Sequence, residues 1–281
     1  MSNLNLYIKA RATDTQLFLN KFGGASVALS LRKLKDTSTN VVRVRRSSDN
    51  LEQNFTATQI TDGTLTTFCG AGNGFVPIWY DQSGIGNDAL QTVASKQPKI
   101  VNLGSLILEN GKPALDFGIL NGIIEMTCIG IRDLPLNDFS FYYVRKTQNI
   151  ISSTPSLQFD GFDDLAFFPY AFVSDNTGSR IFWRNLGSIN EVNSGNISNT
   201  NFLFSFNYKK IAKNYKVFRN SNEVINFNTS GTSSEFSNFY LGSNGGISYG
   251  SLMQEFIAYP TNTEFIKTGI ETNINNYYSL Y

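Results

Sequence analysis

The feature that most constrains the fold is a series of short strand-like segments in the second half of the chain. Runs rich in Phe, Tyr, Val and Ile recur there, each bounded by clusters of Asn, Ser, Gly and Asp. Aromatic and β-branched residues favour strands, whereas the bounding residues favour turns. Such regular spacing is typical of a β-sandwich. The predicted strands are Phe139–Arg145, Leu165–Val173, Arg180–Trp183, Phe202–Tyr208, Asn214–Arg219, Glu223–Phe227, Ser237–Leu241 and Leu252–Tyr259.

The first half carries weaker strand signals of the same kind. Val42–Arg46 alternates apolar and basic residues, which predicts a strand with one buried and one solvated face. The Asn-Gly pair at Asn110 predicts a tight hairpin. Pro169 predicts a bulge, an edge position or a break in its strand. Further strands are predicted at Phe75–Tyr80, Pro98–Val101 and Gly111–Phe117.

Two segments have helical patterns. Apolar residues in Ala25–Leu34 predict a short helix near the N-terminal end. After Pro260, apolar residues recur every three or four positions, and Asn262 or Thr263 can cap a closing helix. No repeat or charged linker divides the chain, so residues 1–281 are predicted to form a single domain, with 1–14 as an N-terminal attachment segment.

Composition excludes several functions. The chain contains no histidine, which removes Ser-His-Asp chemistry and His-ligated zinc. A formal net charge of +1 argues against nucleic acid as a partner. No stretch approaches the roughly 18 uninterrupted apolar residues of a membrane span, so no membrane insertion is expected. The two cysteines, Cys69 and Cys128, are predicted to be buried thiols.

Several blocks of the first half resemble the α-L-arabinofuranosidase B catalytic-domain family, and similar blocks occur in bacteriophage structural and tail proteins. The most specific is the Tyr-Asp-Gln-Ser-Gly run that follows Trp79. The second half resembles laminin-G domains more loosely, and Glu255 occupies a position that those domains use structurally. The resemblance implies a concanavalin-like jelly-roll β-sandwich. The blocks of the first half are Gly24–Lys35, Arg43–Asn50, Cys69–Phe75, Trp79–Gly84 and Asn110–Phe117.

The catalytic residues of that family are not reproduced. A retaining glycosidase needs two carboxyl groups about 5–5.5 Å apart. In the family the acid/base aspartate lies in a Gly-Gly-Asp-Asn turn, and the matching stretch Leu241–Gly250 has no carboxylate. The central segment 180–222, where the nucleophile is expected, contains one acid, Glu191. We therefore expect no catalytic residues and no enzymatic activity.

Four residues are candidates for ligand binding, namely Asp81, Gln82, Trp183 and Tyr249. Asp81 either accepts hydrogen bonds from amides of its own Gly-rich turn or contacts a ligand. Each tryptophan, Trp79 included, is either part of the core or a platform on which a sugar stacks.

The cluster Asp160, Asp163 and Asp164 is either a solvated loop or a calcium site, because carboxylate oxygens are the ligands that calcium prefers. No other cofactor and no other metal site is expected.

Three functions follow as expectations. The first is a non-catalytic bacteriophage virion structural protein on the particle exterior, a head or tail fibre or a capsid decoration component that binds glycans. The second is a stand-alone lectin-like module. The third is an active retaining arabinofuranosidase-type glycosidase. The expected partners of the first are other virion proteins, surface glycans and copies of this chain, a trimer being favoured.

Overall fold

The computed structural model describes residues 16–118, 124–128, 137–147, 160–162, 169–175, 178–185, 188–193, 200–228, 239–242 and 251–281. Antiparallel strands dominate these residues. One short helix precedes the first strand and one longer helix follows the last. No helix in these ranges is long and apolar enough to cross a membrane.

The described part of the first half combines short strands with three short helices. The helices are α1 (Phe18–Lys21), α2 (Ala57–Thr61) and α3 (Thr64–Cys69). The strands are β1 (Val27–Ser30), β2 (Asn40–Arg46), β3 (Glu52–Thr56), β4 (Gly74–Trp79), β5 (Ala89–Leu90), β6 (Lys99–Asn102), β7 (Ser105–Leu106), β8 (Leu108–Glu109), β9 (Lys112–Pro113), β10 (Leu115–Asp116) and β11 (Met126–Cys128).

The second half supplies the longest strands and the closing helix. The strands are β12 (Phe139–Thr147), β13 (Asp160–Phe162), β14 (Pro169–Asp175), β15 (Gly178–Asn185), β16 (Ser188–Asn193), β17 (Asn201–Lys209), β18 (Asn214–Arg219), β19 (Asn222–Asn228), β20 (Phe239–Leu241) and β21 (Ser251–Tyr259). A 3-10 turn at Glu264–Ile266 leads into α4 (Lys267–Tyr278).

A single hydrogen-bonded path joins strands of both halves. Its order is β13-β20-β11-β5-β4-β6-β10-β21-β12-β17-β18-β19. Outside this order, β1 pairs with β21, β2 pairs with both β3 and β4, and β7 pairs with β6. A second sheet contains β14-β15-β16, and β8 pairs with β9. β21 pairs with β12 along its whole length, while β1 and β10 pair with successive parts of its other edge.

Alternation along β12 places apolar residues on both faces of the sheet. Phe139, Phe141 and Tyr143 belong to the main core, where residues of β2, β4 and β11 also lie. Tyr142 and Val144 belong to a second apolar cluster together with residues of α1 and α4. β12 therefore packs against the strands β2, β4 and β11 on one face and against the helices α1 and α4 on the other. This arrangement confirms the predicted all-β sandwich with an N-terminal and a C-terminal helix.

The position predicted for the N-terminal helix was wrong. Val27–Ser30 forms β1 inside the predicted range Ala25–Leu34, and the helix α1 lies before it at Phe18–Lys21. All four residues of β1 are buried. A strand covered on both faces has a continuous apolar run instead of an alternating one, and such a run resembles part of a buried helix.

Local turn chemistry was predicted correctly at two places. Asn110 and Gly111 have φ values of 48° and 69°, the left-handed conformations that a tight hairpin turn requires between β8 and β9. β14 begins at Pro169, and its register with β15 shifts between Tyr170 and Phe172, so the predicted bulge is present.

Candidate functional site

The carboxylate of Asp81 organises the Gly-rich turn that follows β4. Its Oδ1 accepts hydrogen bonds from the backbone of Ala28 at 2.7 Å and of Ser83 at 2.9 Å. Its Oδ2 accepts from the Ser83 hydroxyl at 2.5 Å and from the amides of Gly86 and Asn87 at 3.1 and 3.0 Å. The expectation that Asp81 binds amides of its own turn is confirmed. Direct contact of Asp81 with a ligand stays a prediction.

Gln82 connects this turn to the segment after β1. Its side chain is 2% exposed, and its amide nitrogen donates to the carbonyls of Ser30 at 3.0 Å and Arg32 at 2.9 Å. Its amide oxygen accepts from the backbone of Leu34 at 2.8 Å. Gln82 thus fixes the backbone on both sides of Arg32, and its predicted contact with a ligand stays a prediction.

A cleft of about 320 Å³ lies beside this turn, and we call it the Tyr80 cleft. Tyr80 is half-buried, and its hydroxyl donates to Asn54 Oδ1 at 2.9 Å. The Tyr80 amide donates to the carbonyl of Val41, which ties the turn to β2. The lining residues are Thr37, Ser38, Thr39, Asn40, Tyr80, Asp81, Gln82 and Gly84. Hydroxyl and amide groups beside an aromatic ring suit a polyhydroxylated ligand.

A second carboxylate, that of Asp88, supports the same turn. Asp88 Oδ1 accepts a hydrogen bond from the backbone of Asp81 at 2.8 Å. Burial, with a contribution from the negative charge of Asp81, raises the pKa of Asp88 above its usual value. Both carboxylates therefore accept hydrogen bonds that shape the turn.

A larger cleft, of about 490 Å³, opens where four separate segments meet, and we call it the Arg32 cleft. The segments are the approach to α1, the residues after β1, the helix α2 and the helix α4. The lining residues are Gln16, Leu17, Phe18, Leu31, Arg32, Lys33, Ala57, Thr58, Thr61, Asn273, Asn276 and Tyr277.

Arg32 is held in this cleft by a buried ion pair. Its Nε and Nη2 atoms donate to the two carboxylate oxygens of Glu255 at 2.8 and 2.9 Å, and Nη1 donates to Asn273 Oδ1 at 3.2 Å. The guanidinium carbon lies 4.6 Å from the ring centre of Tyr277. Burial alone would lower the pKa of Arg32, but the charge and hydrogen bonds of Glu255 outweigh burial and raise it. Arg32 is therefore a permanently charged and fixed group, and no local sequence pattern marks it as a site residue.

The fully buried Glu255 accepts two further hydrogen bonds. They come from the Ser30 hydroxyl at 2.8 Å and the Tyr278 hydroxyl at 3.1 Å. Glu255 therefore joins β1, β21 and α4, in agreement with the structural role expected from the laminin-G resemblance.

The other predicted residues are not brought to these clefts in the described part of the chain. Trp183 lies on β15 opposite Pro169 and Asn190, and Glu191 lies on β16. Tyr249 lies outside the described residues. Ligand contacts of Trp183 and Tyr249 stay predictions.

The remaining candidates are the aspartate cluster, proposed for calcium, and Trp79. Asp160 begins β13, whereas Asp163 and Asp164 lie outside the described residues. No group of three possible metal-binding side chains occurs among the described residues, and the calcium site stays a prediction. Trp79 is 0% exposed and belongs to the main core, which is one of the two roles expected for each tryptophan.

No family model and no curated protein matches the sequence. Solved structures do match the fold. A GH54 α-L-arabinofuranosidase soaked with a cyclic sulfate inhibitor aligns with a TM-score of 0.64 at 15% identity, over 89% of this chain and 62% of that chain. An arabinofuranosidase complexed with arabinofuranosyl-α-1,2-xylobiose aligns with a TM-score of 0.60 at 14% identity over the same shares. The chain thus spans less than two thirds of these enzymes, and the similarity shows a shared β-sandwich fold.

Proposed function

We propose that the protein is a non-catalytic glycan-binding β-sandwich that serves as a bacteriophage virion component, either a head or tail fibre or a capsid decoration protein. The observation that carries the binding proposal is the Tyr80 cleft, with hydroxyl and amide groups grouped beside a tyrosine ring. The fold shared with an arabinofuranosidase bound to an arabinofuranosyl-xylobiose supports the carbohydrate class. The resemblance of the first-half sequence blocks to those of phage structural proteins supports the virion setting.

We propose that the protein is not catalytic because of the positions and hydrogen bonds of its carboxylates. The stretch Leu241–Gly250, which the sequence resemblance matches to the acid/base turn of the arabinofuranosidase family, holds no carboxylate. Asp81 and Glu255 accept several hydrogen bonds each. Glu271 accepts from the Ser221 hydroxyl and from Lys267, each at 2.8 Å. These three carboxylates maintain the fold and are poorly placed to exchange protons with a substrate.

Binding is tested with a panel of fluorescently labelled neutral oligosaccharides, including arabinofuranosyl ones. Thr39 is exposed and lines the Tyr80 cleft, so Thr39→Arg is expected to weaken binding at least about tenfold by filling a site that buries most of its ligand. The matched control is Thr67→Arg, at an exposed position on α3 outside both clefts. Equal affinities for the two variants would contradict the assignment of the cleft.

Catalysis is tested with aryl arabinofuranosides. We expect no release of the phenol by the purified protein. Turnover that disappears in a Glu191→Gln variant would overturn the non-catalytic proposal and identify Glu191 as part of an active site.

The virion setting is tested by mass spectrometry and by antibody labelling of purified particles. Detection on the particle exterior is expected. A protein that binds glycans yet never copurifies with particles would instead be the stand-alone lectin. Deleting residues 1–14 is expected to leave the domain folded but absent from particles, because that segment is the proposed attachment to partners.

A further inference from the structure

The Arg32 cleft differs in charge from the Tyr80 cleft. None of the described residues that line the Arg32 cleft is Asp or Glu, whereas Arg32 and Lys33 both line it. Lys33 is exposed and forms no ion pair within the described part of the chain. Glu255 neutralises Arg32 from beneath and is itself fully buried. The open side of the cleft therefore carries an excess positive charge.

Arg32 retains donors for a ligand. A guanidinium has five N–H groups. Three N–H groups of Arg32 donate to Glu255 and Asn273, which leaves two for a ligand. The bidentate contact and the adjacent Tyr277 ring hold the group in one orientation. A donor that is already fixed loses little conformational entropy when a ligand binds, so it favours a specific anion over a diffuse counter-ion cloud.

The other walls supply neutral hydrogen-bonding groups. Thr58 and Thr61 on α2 face the same cleft as the amides of Asn273 and Asn276 on α4. A volume of about 490 Å³ falls within the roughly 300–1,000 Å³ range of small-molecule sites. Hydroxyl and amide groups around a fixed cation suit a ligand that carries several hydroxyls and one negative charge.

We propose that the Arg32 cleft is a second binding site, which accepts the carboxylate-bearing end of an acidic saccharide of one or two sugar units. The carboxylate lies against Arg32 and Lys33, and the sugar hydroxyls bond to the threonine and asparagine side chains. This site is separate from the Tyr80 cleft, and the two assignments can fail independently of each other.

The first test is isothermal titration of the full chain with sodium glucuronate, glucose and glucose 6-phosphate at pH 7 and low salt. Glucuronate is expected to bind at least about tenfold more tightly than glucose, as charge-assisted hydrogen bonds are roughly twice as strong as neutral ones. Its affinity should fall as salt is added. Equal binding of glucuronate and glucose would overturn the proposal. Glucose 6-phosphate binding as tightly as glucuronate would overturn the preference for a carboxylate.

The second test locates the site with variants that leave the buried ion pair intact. Thr61→Trp fills the cleft and is expected to abolish glucuronate binding, whereas Thr67→Trp on the neighbouring helix leaves it unchanged. Lys33→Gln is expected to weaken binding about threefold to fivefold, near the upper end of what a solvent-exposed ion pair contributes. The control Lys210→Gln changes an exposed lysine that follows β17 and lines neither cleft, and it is expected to have no effect. Undiminished binding in Thr61→Trp would place the glucuronate elsewhere.

Discussion

Substituting Arg32 by alanine is expected to destabilise the protein more than any single change at its surface. The variant leaves the carboxylate of Glu255, which is 0% exposed, with only the Ser30 and Tyr278 hydroxyls among the donors described above. Removing one partner of a buried ion pair typically costs about 3–5 kcal/mol. Loss of the contact with the Tyr277 ring adds roughly 1 kcal/mol. We therefore expect the free energy of unfolding to fall by about 4–6 kcal/mol.

The measurement is urea denaturation followed by far-ultraviolet circular dichroism. The control is Arg43→Ala, because Arg43 and Glu52 form a 3.8 Å ion pair whose side chains are 39% and 40% exposed. That variant also loses the hydrogen bond from Arg43 Nε to Asn54 Oδ1 at 2.9 Å, so its free energy of unfolding should fall by about 1–2 kcal/mol. If Arg32→Ala is too unstable to purify, the double variant Arg32→Met with Glu255→Leu should restore a folded protein, since apolar replacement of a whole buried pair is often neutral. Similar losses for Arg32→Ala and Arg43→Ala would refute the reasoning.

Three further outcomes are expected. Gly242→Ala should destabilise the fold by more than about 2 kcal/mol because a Cβ there would lie 2.0 Å from the Phe117 ring, whereas Gly24→Ala, with a similar φ and open space around it, should cost less in the same denaturation assay. Burial raises the pKa of Asp116 above its usual 3.8, so the folded state holds the carboxyl proton to a higher pH than the unfolded state does. The free energy of unfolding therefore falls as the pH rises from 3.8 through the raised pKa. Asp116→Asn should melt at a higher temperature than the parent at pH 7 and show no such advantage below pH 3.8. Burial raises the pKa of the Cys69 thiol to about 11, so a thiol reagent at pH 8 should modify Cys69 only after denaturation, and rapid labelling of the native protein would contradict its burial.

Strands with one buried and one solvated face could be predicted in both halves because alternation and turn residues are local properties of the sequence. Val42–Arg46, for example, has one face in the core and one half-exposed, and the structure forms β2 there. β1 could not be identified in the same way because both of its faces are buried. The start of α2 is also marked locally in the sequence, since Thr56 and Gln59 form a reciprocal capping box.

The candidate site was predictable only where its contacts are local. The role of Asp81 follows from a turn rich in Gly and Asn within six residues of it. Arg32 and Glu255 are separated by 223 positions, and no periodicity links them. The sequence therefore identified the turn beside the Tyr80 cleft, whereas the cation of the Arg32 cleft emerged only from the pairing of β1 with β21.

The central place of β21 has a consequence for how the protein is made. β21 pairs with β12 on one edge and with β1 and β10 on the other, although it is synthesised after all three of them. Until it leaves the ribosome, three earlier strands have an open edge, and such edges promote aggregation. Pairing β1 with β21 also closes a very long loop, which slows folding. A nascent chain that stalls before residue 251 should therefore depend on chaperones to stay in solution, even though most of its strands are already complete.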